Sequence, residues 1–402
     1  MDSGTTAQQP LPRPFDAPFL ADPLREYARL RAAGPVHQAA LPDGAPVWVV
    51  TRESDVRAGL ADERLSVSRT HASKAGGYRG FELPPALDAN LLNSVPADHQ
   101  RLRRLVSKAF TARRVERSRE DIEATADRLA DGLAQNGKGD LVADFAGPLS
   151  LRFIGDMFAV PEQDRKPFSA WVGTMIAPDH PSQIVDAVER IHRFLLDLIS
   201  TKRASPGRDL LSDLIAARDS DDRLNEDELV SLAFLILMAG SENTQHMVSA
   251  GMLTLLSDPG QSAELRSDPA LLAPAVEELL RYAHPNQMAI RRFAVTDLQI
   301  GGTRIPRGAT VLLCLTSAHR DPDRYPEPDR FDIHRGPTPH LALGHGMHYC
   351  LGAALARIQI EVATDTLLRR FPDLRLAVPA SELRWRTSWR SRSLVELPVF
   401  TT

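Results

Sequence analysis

His340–Arg357, HLALGHGMHYCLGAALAR, decides how the chain reads. Glycines and histidines lead to a lone Cys350, and after it Leu351, Leu355, Ile358 and Val362 recur at helical spacing, which puts the thiol at a helix N-terminus. Free N–H groups and the positive end of the helix dipole favour a thiolate there. Gly344, Gly346 and Gly352 let backbone approach a flat ligand closely. An anionic sulfur ligand suited to iron is one reading, and three others compete with it. A zinc site with His340, His345 and His348 fits poorly, because zinc prefers closed tetrahedral sets with paired spacings such as CxxC. A cysteine nucleophile lacks its local signature and a placed partner. A buried structural thiol stays open.

Outward from this loop the chain is mainly helical in period. Helical stretches run from Arg101 to Leu133, Ser182 to Arg203, Asn225 to Ser257 and Pro274 to Tyr282. The third is the longest. Asn225 is its N-cap, Glu228 stands at the third helical position, and Asp258-Pro259 ends it. Its middle, VSLAFLILMAG, is apolar on nearly all sides, as in a helix that crosses the centre of a molecule. AGSENT, residues 239 to 244, interrupts that apolar run. Buried unpaired polar groups cost about 1 to 3 kcal/mol each, so the cluster is either mutually satisfied or lines a wet cavity. Strands are few: PVHQAAL and PVWVVT pair around Asp43-Gly44, and DLQI pairs with TRI around Gly301-Gly302. The fold class expected is mainly α with small β-sheets, a long central helix, a loosely held arm over residues 1–14, and a single domain over 15–402.

Composition sets the outer bounds. Across 402 residues, 43% hydrophobic and 25% charged content is that of an ordinary globular protein. A net charge of -4 gives no basic footprint for nucleic acid. Two cysteines, Cys314 and Cys350, make no disulfide framework and fit a reducing cytoplasm. No signal peptide or membrane-spanning run is legible, so neither secretion nor a membrane is expected. Cys314, in the apolar run ATVLLCL, reads as a buried thiol. No GxGxxG, Walker loop or HExxH is present, so any electrons must come from outside the chain.

The cysteine loop resembles that of the cytochrome P-450 family, FGxGxHxCxGxxLAR, against LGHGMHYCLGAALAR here; Leu343 replaces the usual Phe. The resemblance covers about the last three-quarters of the chain, with further motifs in the expected order. It implies the cytochrome P-450 fold, haem b held by Cys350 as axial iron ligand, and a loop lined by Leu343, Gly344 and Gly352. It also implies a propionate clamp of His99 and Arg103 in DHQRLRR, with Arg292 and His348. Glu278 and Arg281 in AVEELLRY, alone an ordinary i, i+3 pair, are joined by the resemblance to Arg330 of the PDRF segment in a buried scaffold.

In AGSENT the family reads AGxETT, which implies room for dioxygen at Ala239 and Gly240 and a proton-delivering acid at Glu242. Asn243 stands where the family's hydroxyl stands. Thr244 comes one place later, and a helix turns about 100° per residue, so Thr244 does not take over that position. An amide cannot relay a proton as a hydroxyl does. The expected activity is hydroxylation or epoxidation of a small organic natural product with dioxygen. Oxidative coupling without oxygen insertion, a haem sensor and a peroxygenase are the alternatives. Electrons are expected from a ferredoxin and its reductase, steered by Arg101, Arg104, Lys108, Arg113 and Arg114, and the chain is expected to be a cytoplasmic monomer. Residues 65–90, 170–182, 234–243, 286–290 and 387–389 are expected to line the substrate pocket, with Ala239, Asn243, Asn286, Gln287, Ala289, Thr387 and Ser388 in contact.

Overall fold

The computed structural model describes residues 10–73, 83–178, 180–219, 224–336 and 339–402, with the side chains of residues 112 and 114 left aside. The chain falls into two compact units, Met1–Phe81 with Met288–Pro326, and Glu82–Gln287 with Glu327–Thr402.

The first unit carries a five-stranded sheet in the order Val36–Ala40, Pro46–Val50, Thr310–Leu313, Arg292–Ala294, Leu65–Ser66. The expected first hairpin forms, with Val36 opposite Val50 and Ala40 opposite Pro46. Its turn is closed by Asp43, whose side chain accepts from the Ala45 N–H at 3.0 Å, and by Gly44 at φ +86°. Pro46–Val50 runs parallel to Thr310–Leu313, the one parallel pairing in this sheet. The second hairpin, Leu298–Ile300 with Thr303–Ile305, turns on Gly301 and Gly302, both at positive φ. Cys314 is fully buried at the end of its strand, and burial pushes its thiol up to about 12.

The second unit is built around the helix Glu226–Leu256, 31 residues and so about 46 Å long. Its start is a capping box: the Asn225 side chain accepts from the Glu228 N–H at 2.8 Å, and the Glu228 carboxylate accepts from the Asn225 N–H at 2.9 Å. Residues 229–237 are buried without exception, as an all-round apolar sequence requires. Against it pack Pro85–Asp88, Gly147–Met157 and Ala353–Arg370. Gly240 serves this packing: a Cβ there would lie 2.7 Å from Ile154 Cδ1 on Gly147–Met157. The side-chain direction at Gly240 is thus taken by a neighbouring helix, while the residue itself stays half-buried.

The stretch from Arg101 to Leu133 is not one helix. It breaks into Pro96–Ser107, a 3-10 turn Lys108–Phe110, Ala112–Arg117 and Arg119–Asn136. Ser107 turns its hydroxyl back onto the Arg103 carbonyl at 2.6 Å, and Thr111 is extended at ψ 145°. Both residue types fit a helix interior weakly, and the Ser107 side chain satisfies the backbone at the break.

Candidate active site

The cysteine loop is held by backbone bonds that its glycines permit. The Gly344 N–H donates to the Leu341 carbonyl at 2.9 Å, and the Cys350 N–H donates to the Leu343 carbonyl at 2.8 Å, so the loop closes on itself. Gly344 sits at φ +77°, and any side chain there would lie 3.2 Å from the His348 carbonyl oxygen. Leu343 is half-buried against the core of this unit. Cys350 lies three residues before the helix Ala353–Arg370, closer to its end than into it. Burial pushes the thiol up, against the Gly352 N–H, Arg103 and Arg357, which pull it down. A Cβ at Gly352 would meet nothing within 4 Å.

Glu277, which the motif reading passes over in favour of its neighbour, fastens this loop from outside. It receives Arg357 at 2.6 and 2.9 Å and lies 3.3 Å from His340 Nε2, while Arg357 also donates to the Tyr349 hydroxyl at 3.3 Å. Burial raises its carboxyl, but His340 and Arg357 outweigh that and hold it at about 2. A depressed carboxylate stabilises the fold above the ordinary value near 4.5 and loses that contribution as pH falls through about 2. Glu277→Gln is therefore expected to lower stability at pH 7 by about 1 kcal/mol, solvent screening included, and to converge with the wild type in acid. Urea denaturation at several pH values reads this directly; a difference that persists unchanged in acid would refute it.

One turn away, Arg281 donates twice to Glu278, both at 2.7 Å and both buried, and to the half-buried Pro328 carbonyl at 2.9 Å. The third charged member is Arg335, whose Nε reaches Glu278 at 3.0 Å. Arg330 is corrected: its guanidinium is 59% exposed and pairs with Glu327 and Asp332, and only its backbone carbonyl joins the network.

On Pro96–Ser107, His99 and Arg103 lie one turn apart. The His99 ring is buried edge-on to the His348 ring at 4.6 Å, with its Nδ1 lacking any hydrogen-bond partner among the described residues. Burial lowers the His99 pKa, with Arg103 adding to the effect. Arg103 reaches the Met347 carbonyl at 3.4 Å, so helix and cysteine loop face one another. Arg292, in the first unit, is buried with no carboxylate partner among the described residues; desolvation pushes it down to about 10. Of the expected basic face, Arg104, Lys108 and Arg113 are exposed, whereas Arg101 is engaged by Asp98 and Glu228 and is no free cation. The Arg114 side chain lies outside the described residues.

In AGSENT each polar side chain has its own solution. Ser241 donates to the Leu237 carbonyl at 2.8 Å. The Glu242 carboxylate, 8% exposed, accepts from His246 Nε2 at 2.9 Å and from Arg386 Nη1 at 2.7 Å. Burial raises Glu242, but these two partners outweigh it and hold the carboxyl down. His246 was legible one helical turn on; Arg386, far along the chain, was not. Arg386 also lines a cleft of about 580 Å³ with Gly147, Lys166, Gly173 and Gln245, into which part of 170–182 projects. Thr244 is buried, while Asn243 is exposed, its Oδ1 accepting from Asn286 Nδ2 at 3.2 Å.

Among the remaining expected contacts, Ala239 is half-buried, Gln287 is buried and Thr387 is exposed; Ser388 accepts from the Arg390 and Ser391 N–H groups at 3.3 Å. Ala289 lies in the first unit, its N–H donating to the Leu313 carbonyl at 2.9 Å. Residues 74–82 and 179 of the expected lining lie outside the described residues. Among the described residues no group of three or more His, Cys, Asp and Glu is placed to hold a metal ion, so the zinc alternative has no ligand set there. Nor, among the described residues, is any helix long and apolar enough to cross a membrane.

A thiol at the end of a glycine-built loop, faced by a histidine with a buried unused nitrogen, suits a flat iron porphyrin with acidic arms. The cytochrome P450 family model matches residues 148–376, more than half of the chain. The chain belongs to the cytochrome P450 family. The P450 is 43% identical to cytochrome P450 monooxygenase PikC of Streptomyces venezuelae, over 98% of this chain and 95% of that protein. It is 37% identical to the mycinamicin IV hydroxylase/epoxidase of Micromonospora griseorubida, over 98% and 99%. The tirandamycin C-bound structure of the P450 monooxygenase TamI superposes with a TM-score of 0.89 at 41% identity, covering 96% of this chain and 99% of that one. The P450 fold and monooxygenase activity expected from the cysteine loop are thereby established at the level of the family.

Proposed function

We propose that this P450 oxidises a small organic natural product in a reaction in which R–H, dioxygen, two electrons and two protons give R–OH and water, or the corresponding epoxide. The observation that carries the reading is the Cys350 loop, closed between Leu343 and Cys350 and faced by His99 and Arg103. Haem b, when bound, supplies dioxygen activation; Cys350 would hold its iron, and His99, Arg103 and His348 would take a propionate. By the family resemblance Arg292 would be a further cation for such a group; within its own unit it is buried with no carboxylate partner among the described residues. Leu343 and Gly352 would border the macrocycle, Leu343 with an aliphatic side chain where the family carries a ring.

The two electrons would come from a ferredoxin and its reductase, drawn to Arg104, Lys108 and Arg113. Glu242 would hold a negative charge beside the reacting centre, oriented by His246 and Arg386. Asn243, with an amide in place of a hydroxyl, favours a second reading, coupling of two substrate positions without oxygen insertion, in which the substrate gives up two hydrogens and dioxygen, with two electrons and two protons, is reduced to two waters.

The test is turnover of the haem-loaded protein with a surrogate ferredoxin and reductase under ¹⁸O₂. Product carrying one labelled oxygen supports the first reading and unlabelled, doubly dehydrogenated product the second. A haem-thiolate spectrum with no reductase-dependent product overturns both.

A further inference from the structure

The helix Glu226–Leu256 buries nearly every side chain along its middle, yet Asn243 is exposed there and Ala239, one turn earlier on the same face, is half-exposed. That face therefore opens on accessible space. Asparagine is a poor helix former, and this one reaches back only weakly to the Ala239 carbonyl, at 3.4 Å. Its firmer contact is to Asn286, whose Nδ2 donates to Asn243 Oδ1 at 3.2 Å. Asn286 is held by its backbone: the Pro285 carbonyl accepts from the Arg392 N–H at 2.7 Å, and the Gln287 N–H donates to the Arg390 carbonyl at 2.8 Å, with Asn286 bridged to Ser391 between them. Two neutral carboxamides are thus set side by side from a helix and a braced turn.

Their unspent hydrogen-bonding capacity is specific. Asn286 Oδ1 accepts nothing among the described residues, each Nδ2 keeps a second hydrogen, and Asn243 Oδ1 keeps a lone pair. Arg390 and Arg392, which flank Ser391 in this bridge, lie over the Trp389 and Trp385 rings at 4.7 and 4.1 Å, and Arg386 is committed to Glu242. A neutral donor and acceptor side by side match a group that offers a carbonyl and an N–H along one edge. A cis amide does so; an ester or ketone offers only acceptors and leaves an amide donor unmet.

We infer that Asn243 and Asn286 form an amide-reading subsite that selects substrates containing a cis amide, a lactam or cyclic dipeptide. The inference rests on the monooxygenase reading for the location of the substrate but not for its chemistry. Each hydrogen bond lost is expected to weaken binding by about ten-fold.

The test compares cyclo(L-Phe-L-Phe) with its N,N′-dimethyl form, titrated into the haem-loaded protein by Soret shift and by calorimetry, in wild type, Asn243→Thr and Asn286→Leu. The unmethylated compound is expected to bind at least ten-fold more tightly to the wild type, with the ratio falling towards one in both variants. No binding, a wild-type ratio near one, or a ratio unchanged in both variants overturns the inference. Two variants on different elements guard against misfolding of either. A carbon monoxide difference spectrum of the same preparation separates this failure from failure of the haem-thiolate reading, since calorimetry reads the amide preference independently of that spectrum.

Discussion

Cys350→Ser is expected to lose, completely, the strongly red-shifted Soret band of the dithionite-reduced, carbon monoxide-treated protein, while keeping its fold. The band shift reports thiolate ligation of haem iron, and oxygen in place of sulfur removes the soft anionic donor. The substitution is nearly isosteric, and the backbone bonds of the loop, from the Cys350 N–H to Leu343 and from Ala353 to the Cys350 carbonyl, do not involve the thiol. Urea denaturation should therefore place the variant within about 1 kcal/mol of the wild type. Haem uptake should persist in part, because the propionate contacts proposed for His99, Arg103 and His348 are untouched. Burial pushes the thiol up, and a bound cation favours its ionised form. A shifted band surviving in the serine variant would remove Cys350 as ligand and the proposed chemistry with it.

Arg281→Met is expected to cost about 3 to 5 kcal/mol, the range found when one partner of a buried pair is removed and the other is left charged. Typical domains have only about 5 to 15 kcal/mol in total, so expression as insoluble protein is an expected form of this result. Glu278 would keep Arg335 at 3.0 Å and the Asp332 N–H at 3.2 Å but lose its two bonds of 2.7 Å. The Pro328 carbonyl would lose its donor as well. Arg330→Ala is the matched control, expected to cost less than about 1 kcal/mol because its exposed side chain is screened by water. Equal losses from the two variants, measured by urea midpoint, would show that the network is not the buried one described.

These contrasts mark where reading the sequence succeeds and where it stops. The two hairpins were legible because Asp43-Gly44 and Gly301-Gly302 combine period-two flanks with residues that accept positive φ. The long helix was legible because its cap, its apolar length and its proline stop all lie on one continuous stretch. Local signals fail where two residues of one type compete. Arg330 and Arg335 lie five apart in irregular chain, and nothing in their spacing shows which turns inward to Glu278. They also fail across distance: the i, i+4 spacing of Glu242 and His246 was a signal left unread, but nothing local points to Arg386, and Asn243 gives no hint of Asn286. Gly240 is ambiguous in another way, since small size is the same signal whether the space it leaves is for a ligand or for Ile154.

The Glu228 carboxylate caps the long helix through the Asn225 N–H and also receives Arg101, midway between His99 and Arg103 on Pro96–Ser107. Segments exchanged between relatives to build chimeric oxygenases would cut through this shared anchor. A donor helix 226–256 carrying Glu228 but grafted onto a partner lacking Arg101 would keep its cap and lose its tether. The reciprocal graft would take Glu228 away from Arg101. Crossovers should therefore move 96–107 and 225–256 as one inheritance unit, although more than a hundred residues of other structure lie between them.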